Sequence, residues 1–280
     1  MSHSTFTSTL ATGSFLALRS AGLTPIRQVM GTCVYHVGWQ TADYPNFVAL
    51  SAQQQTPFPT GQAQWRTEGG WTELATPTEA WNEARALALG RLRDEARAAG
   101  ALAVVDVAYR RVDYDWAVGA IEIVATGTAV GSNRFVLDET EEIPLTNLSG
   151  EDVWKLLESG WWPLGIVAGS TVVYVVSSYR TSRARRMLTG TASQNQELED
   201  YTNGLYEARD LALRRVRRDA SDVGASGVIG LNLEHQYRER EVDRAGKAVD
   251  LIITLHAVGT GVVAIDHGGP QQIYYSLETR

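Results

Sequence analysis

The fold is decided by Glu83–Val130, EARALALGRLRDEARAAGALAVVDVAYRRVDYDWAVGAIEIVATGTAV, because the same plan returns at Glu207–Val263 as EARDLALRRVRRDASDVGASGVIGLNLEHQYREREVDRAGKAVDLIITLHAVGTGVV. Each copy predicts an amphipathic helix, a glycine at the helix end, an apolar strand, a charged turn and a second strand that ends at Gly-Thr. Internal repetition of this length is a stronger signal of architecture than any local motif. The chain is therefore a tandem duplication.

The repetition extends upstream of both copies. PIRQVMGTCVYHV from Pro25 aligns at a constant offset with PLGIVAGSTVVYVV from Pro163, and each is preceded by a short predicted helix. Ser149 is the expected N-cap of the second of these helices, because a serine oxygen there accepts a backbone N–H. We expect a first domain over residues 1–137 and a second over residues 138–280, with an acidic connector between them and a tail from about 266.

The two long helices share an alanine-rich stripe. Such a stripe allows a helix to approach a sheet closely, and charged residues occupy the other faces. The members of the stripe are Ala84, Leu87, Ala88, Leu92 and Ala96 in the first copy and Ala208, Leu211, Ala212, Val216 and Ala220 in the second.

Composition excludes several classes of protein. The 280 residues carry a net charge of -7, which argues against general binding to nucleic acid or to anionic membranes. Cys33 is the only cysteine, so a disulfide within the chain and a zinc site built from cysteines are excluded, and we expect a small core residue. The first residues show no signal-peptide pattern, and a cytoplasmic location is expected.

The uncharged segment Trp161–Val176 raises the question of a membrane span. It is shorter than the ~20 residues that a spanning helix needs, and its second half is rich in β-branched residues. A buried strand is therefore predicted, and no transmembrane span.

A long segment, 40–77, separates the first predicted strand from the first long helix. Long loops in compact domains are usually functional or disordered, and Trp65 and Trp71 argue against simple disorder here. The sequence leaves three placements open: packing over its own domain, sealing a neighbouring subunit, or lining a ligand groove.

The repeated helix starts contain the first candidate site residues. Glu83 and Glu207 lie where the helix dipole favours an acid, and each is followed two residues later by an arginine, Arg85 or Arg209. Their repetition indicates a shared structural role, such as an ion pair between domains, with ligand binding or an interface as the other interpretation.

The histidines give little support for a metal site. His3, His36, His235, His256 and His267 show no paired spacing. His256 lies in an apolar strand, where a buried core histidine is the expected role, and His235 and His256 are the weak metal candidates. No Walker loop, nucleophile elbow or dinucleotide fingerprint is present, so no catalytic residues are predicted and the chain is not expected to be an enzyme.

The repeated segments resemble the YbjQ family, also called UPF0145. The resemblance lies in Glu-Ala-Arg at 83–85 and 207–209, Val-Ile-Gly at 228–230 and Thr-Gly-Thr-Ala-Val at 126–130. It implies α+β units of dodecin-like type, each with a helix on a small antiparallel sheet, that assemble as rings, notably pentamers. The family is also labelled as heavy-metal-binding. This sequence departs from the single-domain pattern by its duplication and by Asp106 where the second copy has Gly230.

The function predicted from these observations is a non-enzymatic, self-assembling structural or interaction module. A pentamer of two-domain chains is the favoured homo-oligomer, with a protein partner and no nucleic acid. The alternative is a metal- or small-ligand-binding protein; no cofactor is predicted, and a bound metal ion is left open.

Overall fold

The computed structural model describes residues 7–37, 70–113, 120–132, 142–178, 180–182, 196–243 and 247–264. Two units of the same plan follow one another. The first consists of α1 (Thr12–Ser20), β1 (Leu23–His36), β2 (Gly70–Glu73), α2 (Ala75–Ala98), β3 (Ala103–Asp113) and β4 (Ala120–Ser132). The second consists of α3 (Gly150–Glu158), β5 (Trp161–Val176), α4 (Glu199–Asp222), β6 (Gly227–Asp243) and β7 (Lys247–Ala264).

Each unit forms an antiparallel sheet. The first sheet has the order β1-β4-β3, and the second has the order β2-β5-β7-β6. Helices and antiparallel sheets therefore confirm the predicted α+β class with two repeated units. The segment Trp161–Val176 is strand β5, as predicted, and the described residues contain no helix long and apolar enough to cross a membrane.

Close contact between helix and sheet depends on one glycine in each unit. A Cβ atom at Gly31 would lie 2.0 Å from the carbonyl oxygen of Ala88 in α2, and one at Gly169 would lie 2.3 Å from that of Ala212 in α4. Only glycine therefore allows the helix to lie this close to the strand. The alanine stripes face these glycines, as the sequence predicts.

Helix α2 packs between two sheets, and for this reason the prediction that Leu87 is buried is wrong. Leu87, expected in the buried stripe, is 46% exposed, whereas Trp81 and Leu89 are 5% and 7% exposed. The buried arc of the helix extends from the alanine stripe towards Trp81 and Leu89, because the second sheet covers that side. Leu87 lies beyond the opposite edge of the stripe and faces outward.

Two segments cross from one unit to the other. Strand β2 precedes α2 in the first unit but pairs antiparallel with β5 of the second, with Trp71 opposite Val175. In the other direction, residues 143–148 run beside β3, where the Val104 N–H donates to the Pro144 carbonyl at 2.9 Å. One edge of each sheet is therefore bordered by a segment that belongs to the other unit in sequence. The domain boundary at 137/138 stays a prediction.

Several predicted features fall outside the described residues. These are Trp65, His3, His267, most of the 40–77 loop, the tail from about 266 and part of the acidic connector. Cys33 is described and is 2% exposed, which confirms it as a core residue.

Candidate functional site

A row of three polar side chains crosses the second sheet. Ser170 on β5 pairs with His256 on β7, which pairs with Glu234 on β6. Because Gly169 faces α4 and successive residues of a strand alternate, Ser170 and its row lie on the other face of the sheet. The first unit covers that face. We call these three residues the interface row.

One end of the interface row is held by α2. The Arg85 guanidinium donates from Nη1 to the Ser170 Oγ at 2.7 Å and from Nη2 to the Asn82 Oδ1 at 2.7 Å. The Asn82 amide also contacts the backbone of Ser170, donating to its carbonyl and accepting its N–H, both at 3.0 Å. Burial lowers the pKa of Arg85, with Tyr109 and Asp219 opposing that effect. The helix thus inserts a cation between the units.

The other end of the row is held by β3. Arg111 forms an ion pair with Glu234, and the Arg111 side chain is 8% exposed. Burial lowers the pKa of Arg111 as well. The guanidinium groups of Arg85 and Arg111, both from the first unit, therefore lie at the two ends of the interface row.

His256 occupies the middle of the row. It is 3% exposed, its Nδ1 lies 2.8 Å from the Ser170 Oγ, and its ring packs edge-on against Trp81 with centroids 4.8 Å apart. Burial, followed by the charges of Arg111 and Arg85, holds its pKa well below the ordinary value. Its Nε2 is buried without a hydrogen-bond partner. His256 is buried, as the sequence predicts, but only one of its two ring nitrogens has a hydrogen-bond partner.

The remaining predicted site residues lie elsewhere. Glu83 accepts a hydrogen bond from the Tyr35 hydroxyl within the first unit, and Glu207 is half-buried on α4. Arg209 bonds Asp210 at 3.2 Å and lies over the Tyr206 ring. The long helices begin earlier than predicted, at Ala75 and Glu199, so Glu83 and Glu207 lie inside the helices and the prediction that they sit at the favourable end of the helix dipole is wrong. Of the four candidates, Arg85 reaches the other unit, and its partner there is the Ser170 hydroxyl rather than an acid.

Trp71 lies at the edge of the second sheet. It is on β2 and is 42% exposed, and no contact with the interface row is described for it. Its predicted role in a ligand groove or an interface stays a prediction.

The described residues do not fit a heavy-metal centre. They contain no group of three His, Cys, Asp or Glu side chains that could hold an ion. His235 is exposed on β6, and the charges of Arg85 and Arg111 near His256 disfavour a metal cation there. The weak metal candidates His235 and His256 are thus in different surroundings, and neither belongs to a group of three ligand side chains in the part of the chain that the structure describes.

Sequence reasoning missed Ser170, Asn82, Tyr109 and Arg111. One signal could have found part of the site, because alignment of the two copies sets His256 against Val124 and Tyr109 against Leu233. Polar residues in one copy that are apolar in the other mark a place where the units have specialised.

The comparisons with known proteins agree with the duplicated fold. The sequence model of the YbjQ family, described as "Putative heavy-metal-binding", matches residues 68–133 and 163–264. An "Encapsulin nanocompartment protein" of Mycobacterium tuberculosis is 32% identical over 240 residues, which covers 83% of this chain and 79% of that protein. A UPF0145 protein of Clostridium perfringens is 47% identical over 58 residues, 21% of this chain and 53% of the relative.

Proposed function

We propose that this chain, which belongs to the YbjQ family, is a non-enzymatic, self-assembling structural module whose copies join head to tail. The contact between chains would repeat the contact between the two units inside each chain. One observation carries the proposal: side chains that are buried between the two units have exposed counterparts at the two ends of the chain.

The first such end is the open face of β1. On β5, Ala168 and Val172 are 4% and 2% exposed, because the first unit covers them. Their counterparts on β1 are Met30 and Val34, which are 50% and 64% exposed. Exposed apolar side chains in a row on one sheet face are typical of a surface that another protein covers. We call this face the β1 face.

The second end is the side of the second unit that corresponds to β3. Val107 on β3 is 4% exposed, whereas its counterpart Leu231 on β6 is 42% exposed. Leu233, the counterpart of Tyr109, is also 42% exposed. We call this the β6 face. In the proposed assembly, the β6 face of one chain covers the β1 face of the next.

A polar pair supports the same arrangement. Thr32 is the counterpart of Ser170, and its Oγ1 is buried without a hydrogen-bond partner. Arg209 is the counterpart of Arg85 and is exposed at the opposite end of the chain. A buried hydroxyl without a partner destabilises a protein, so a contact that supplies the missing donor is favoured. Arg209 of one chain would donate to Thr32 of the next, as Arg85 does to Ser170 at 2.7 Å.

Contacts between two different faces generate a ring when the rotation closes and a filament when it does not. We propose a closed ring, with five chains as the expected number, in line with the pentameric rings of the family it resembles. The printed name of the mycobacterial relative, a nanocompartment protein, supports an assembly class of function. A cytoplasmic location and a protein partner for the assembled surface belong to the same proposal.

The experiment that tests this uses two blocked variants of the full chain. One carries Met30→Glu and Val34→Glu on the β1 face, and the other carries Leu231→Glu and Leu233→Glu on the β6 face. Each variant retains one intact face. Leu87→Glu, on an exposed part of α2, is the matched control.

Native mass spectrometry should give a ring of 30.6 kDa chains for the wild type and for the control. Each blocked variant should be monomeric alone, and an equimolar mixture should give a dimer with one chain of each kind, because one intact pair of faces remains. A ring that survives both blocks, or a mixture that stays monomeric, would overturn the head-to-tail proposal.

The alternative function is the binding of a metal or small ligand, which the family description favours. The described residues argue against the metal, and the same mass spectrum checks it, because a retained ion adds mass to each chain. One metal per unit, removable by a chelator with loss of thermal stability, would support the alternative.

A further inference from the structure

Inside the chain, a segment of the second unit pairs with the edge of the first sheet. Residues 143–148, which we call the inner arm, run beside β3 and form a parallel bridge with it. Three of the backbone hydrogen bonds, at 2.9, 3.0 and 2.9 Å, run from the Thr146 N–H to the Val104 carbonyl, from the Val107 N–H to the Thr146 carbonyl and from the Asp106 N–H to the Leu148 carbonyl. These bonds fix the register of one unit on the other.

The first unit has a similar arm. Residues 7–10, which we call the outer arm, correspond to residues 145–148 at the constant offset of the repeat. The Ser8 Oγ lies 3.1 Å from the Thr128 Oγ1 and accepts the Leu10 N–H at 3.0 Å. The inner arm has the same two contacts, at 2.8 and 3.1 Å, among Thr146, Thr260 and Leu148. The outer arm is thus held on its own sheet in the way that the inner arm is held on the second sheet.

Strand β6, which corresponds to β3, has an open edge. It is the last strand in the order β2-β5-β7-β6. Its register on β7 repeats that of β3 on β4, with Val228 in the place of Val104 and the bulge at the same position. The Val228 carbonyl and the N–H groups of Gly230 and Leu231 therefore correspond to the groups of β3 that bond the inner arm. In the described part of the chain, no segment pairs with them.

The composition of this edge favours pairing with another chain. Residues 227–233, GVIGLNL, contain neither a charge nor a proline, and charged residues begin at Glu234. Exposed strand edges are templates for pairing, and proteins commonly block them with charges or proline. The uncharged stretch covers the three positions that correspond to the inner-arm contact. The β6 edge therefore lacks this protection at the place where an arm would bind.

The burial of the two arms differs in the direction that a missing partner predicts. Leu148 of the inner arm is 7% exposed and shares a core cluster with Val105 of β3. Leu10, its counterpart in the outer arm, is only half-buried in the single chain, and Thr7 is exposed. A strand added to β6 would cover the remainder of Leu10, as β3 covers Leu148.

We infer that the outer arm of each chain adds to the β6 edge of the preceding chain as a short parallel strand, in the register that the inner arm has on β3. The Ser8 N–H donates to the Val228 carbonyl of that chain, and the Ser8 carbonyl accepts the Leu231 N–H. The Leu10 carbonyl accepts the Gly230 N–H. The inference rests on the proposed head-to-tail assembly and names the backbone contact that sets its register, because pairing of this kind recognises an extended segment through its main chain.

The test is a disulfide across the inferred register, made in the full-length chain. The parallel bridge of the inner arm joins Leu145 to Val104, and their counterparts are Thr7 and Val228. One variant carries Thr7→Cys and Val228→Cys. The two cysteines of neighbouring chains would have Cα atoms about 4.8 Å apart, which is within the reach of a disulfide.

The matched control moves one cysteine along the arm. It carries Thr9→Cys and Val228→Cys, which the same register places about 8 Å apart, too far for a disulfide. Oxidised samples are separated on a denaturing gel without reductant. The wild type gives the background, since its only cysteine, Cys33, is buried.

We expect a ladder of covalent oligomers, up to the size of the ring, from Thr7→Cys with Val228→Cys, and monomers from the control and the wild type. A ladder from the control would mean a different register, and a disulfide closed within one chain would place the arm on its own β6. Either result would overturn the inference. Native mass spectrometry separates it from the proposed function, because a ring without a ladder refutes the arm alone, whereas a monomer refutes the ring and the arm together.

Amide hydrogen exchange examines the same bonds without new cysteines. The amides of Ser8, Gly230 and Leu231 should exchange about tenfold or more slowly in the wild-type ring than in the monomeric variant blocked on the β1 face. The Val107 amide, which bonds the inner arm, should be protected in both samples. Equal exchange of the first three amides in ring and monomer would contradict the pairing.

Discussion

Asp106 is the one described non-glycine residue with a positive φ, at 55°. Its counterpart, Gly230, has a φ of 59°, so both copies need the left-handed conformation at this bulge in the sheet. A side chain in that conformation costs roughly 1–2 kcal/mol. Asp106→Gly should raise the free energy of unfolding by about 1 kcal/mol in urea titrations, because part of the gain is lost to the flexibility of glycine in the unfolded chain. The reverse change, Gly230→Asp, should lower it.

The Asp106 carboxyl also predicts a dependence on pH. Burial raises its pKa above the ordinary value of 3.8, so the folded state disfavours the charged form. The penalty is complete above the folded pKa and disappears below the unfolded pKa. Asp106→Asn keeps a residue that tolerates the left-handed conformation and removes the charge. It should be more stable than the wild type at pH 7, and thermal unfolding should show the difference shrinking towards pH 3.5. An equal difference at both pH values would contradict this explanation.

The glycines that contact the two long helices, Gly31 and Gly169, should not tolerate a side chain. Gly31→Ala and Gly169→Ala force a Cβ atom to within 2.0 and 2.3 Å of a helix carbonyl oxygen. Each change should destabilise the protein by about 1–3 kcal/mol or more, as other overpacking substitutions do. Gly90→Ala is the control, because it lies in α2 with no atom within 4 Å of the new Cβ, and it should stabilise the helix by up to about 1 kcal/mol. Chemical denaturation of the three variants measures the free energy of unfolding, which should fall for Gly31→Ala and Gly169→Ala and rise for Gly90→Ala.

At the scale of elements, the two short helices differ at the N-cap residue that precedes each of them. The Ser149 hydroxyl caps α3 by accepting the Asp152 N–H at 3.2 Å, whereas Ala11, at the same position before α1, offers no side-chain acceptor. Ala11 already has the extended backbone of an N-cap, with ψ at 157°. Ala11→Ser should therefore add about 0.5–1 kcal/mol to the free energy of unfolding, and Ser149→Ala should remove about 1 kcal/mol. If only the second change has an effect, α1 does not need a cap.

Most of the long helices and strands follow from local sequence, but strand β2, the first turns of α2 and α4 and the partners of the strands do not. Helical spacing and the repeated glycines predict the long helices and strands, because these signals act within a few residues. A helix with a single apolar face would bury Leu87, but the second sheet covers a different side of α2. The pairing of Trp71 with Val175 joins residues of different units, and no period in the sequence encodes that choice.

The interface row belongs to the scale of the whole molecule for the same reason. The repeated motif marks Arg85 as a candidate, but its partner Ser170 comes from a strand of the other unit. The row needs β5, β6 and β7 side by side and the first unit stacked over them. Stacking of one unit on another depends on the summed shape of two surfaces, whereas sequence patterns report the periodicity of one element. The sequence does indicate one part of the site, because His256 in the second copy aligns with the apolar Val124 in the first.

The dependence of each unit on the other can be measured by dividing the chain in the acidic connector. Residues 1–137 and 138–280, produced together with a tag on one half, should copurify, because β2 completes the second sheet and residues 143–148 border the first. Val172→Glu in the second half should weaken the copurification, since Val172 is 2% exposed beneath the first unit. The control, Leu87→Glu in the first half, should leave it unchanged. Two halves that are monomeric and stable apart would show that the units fold as independent domains, and the duplication would then provide no more than a tether.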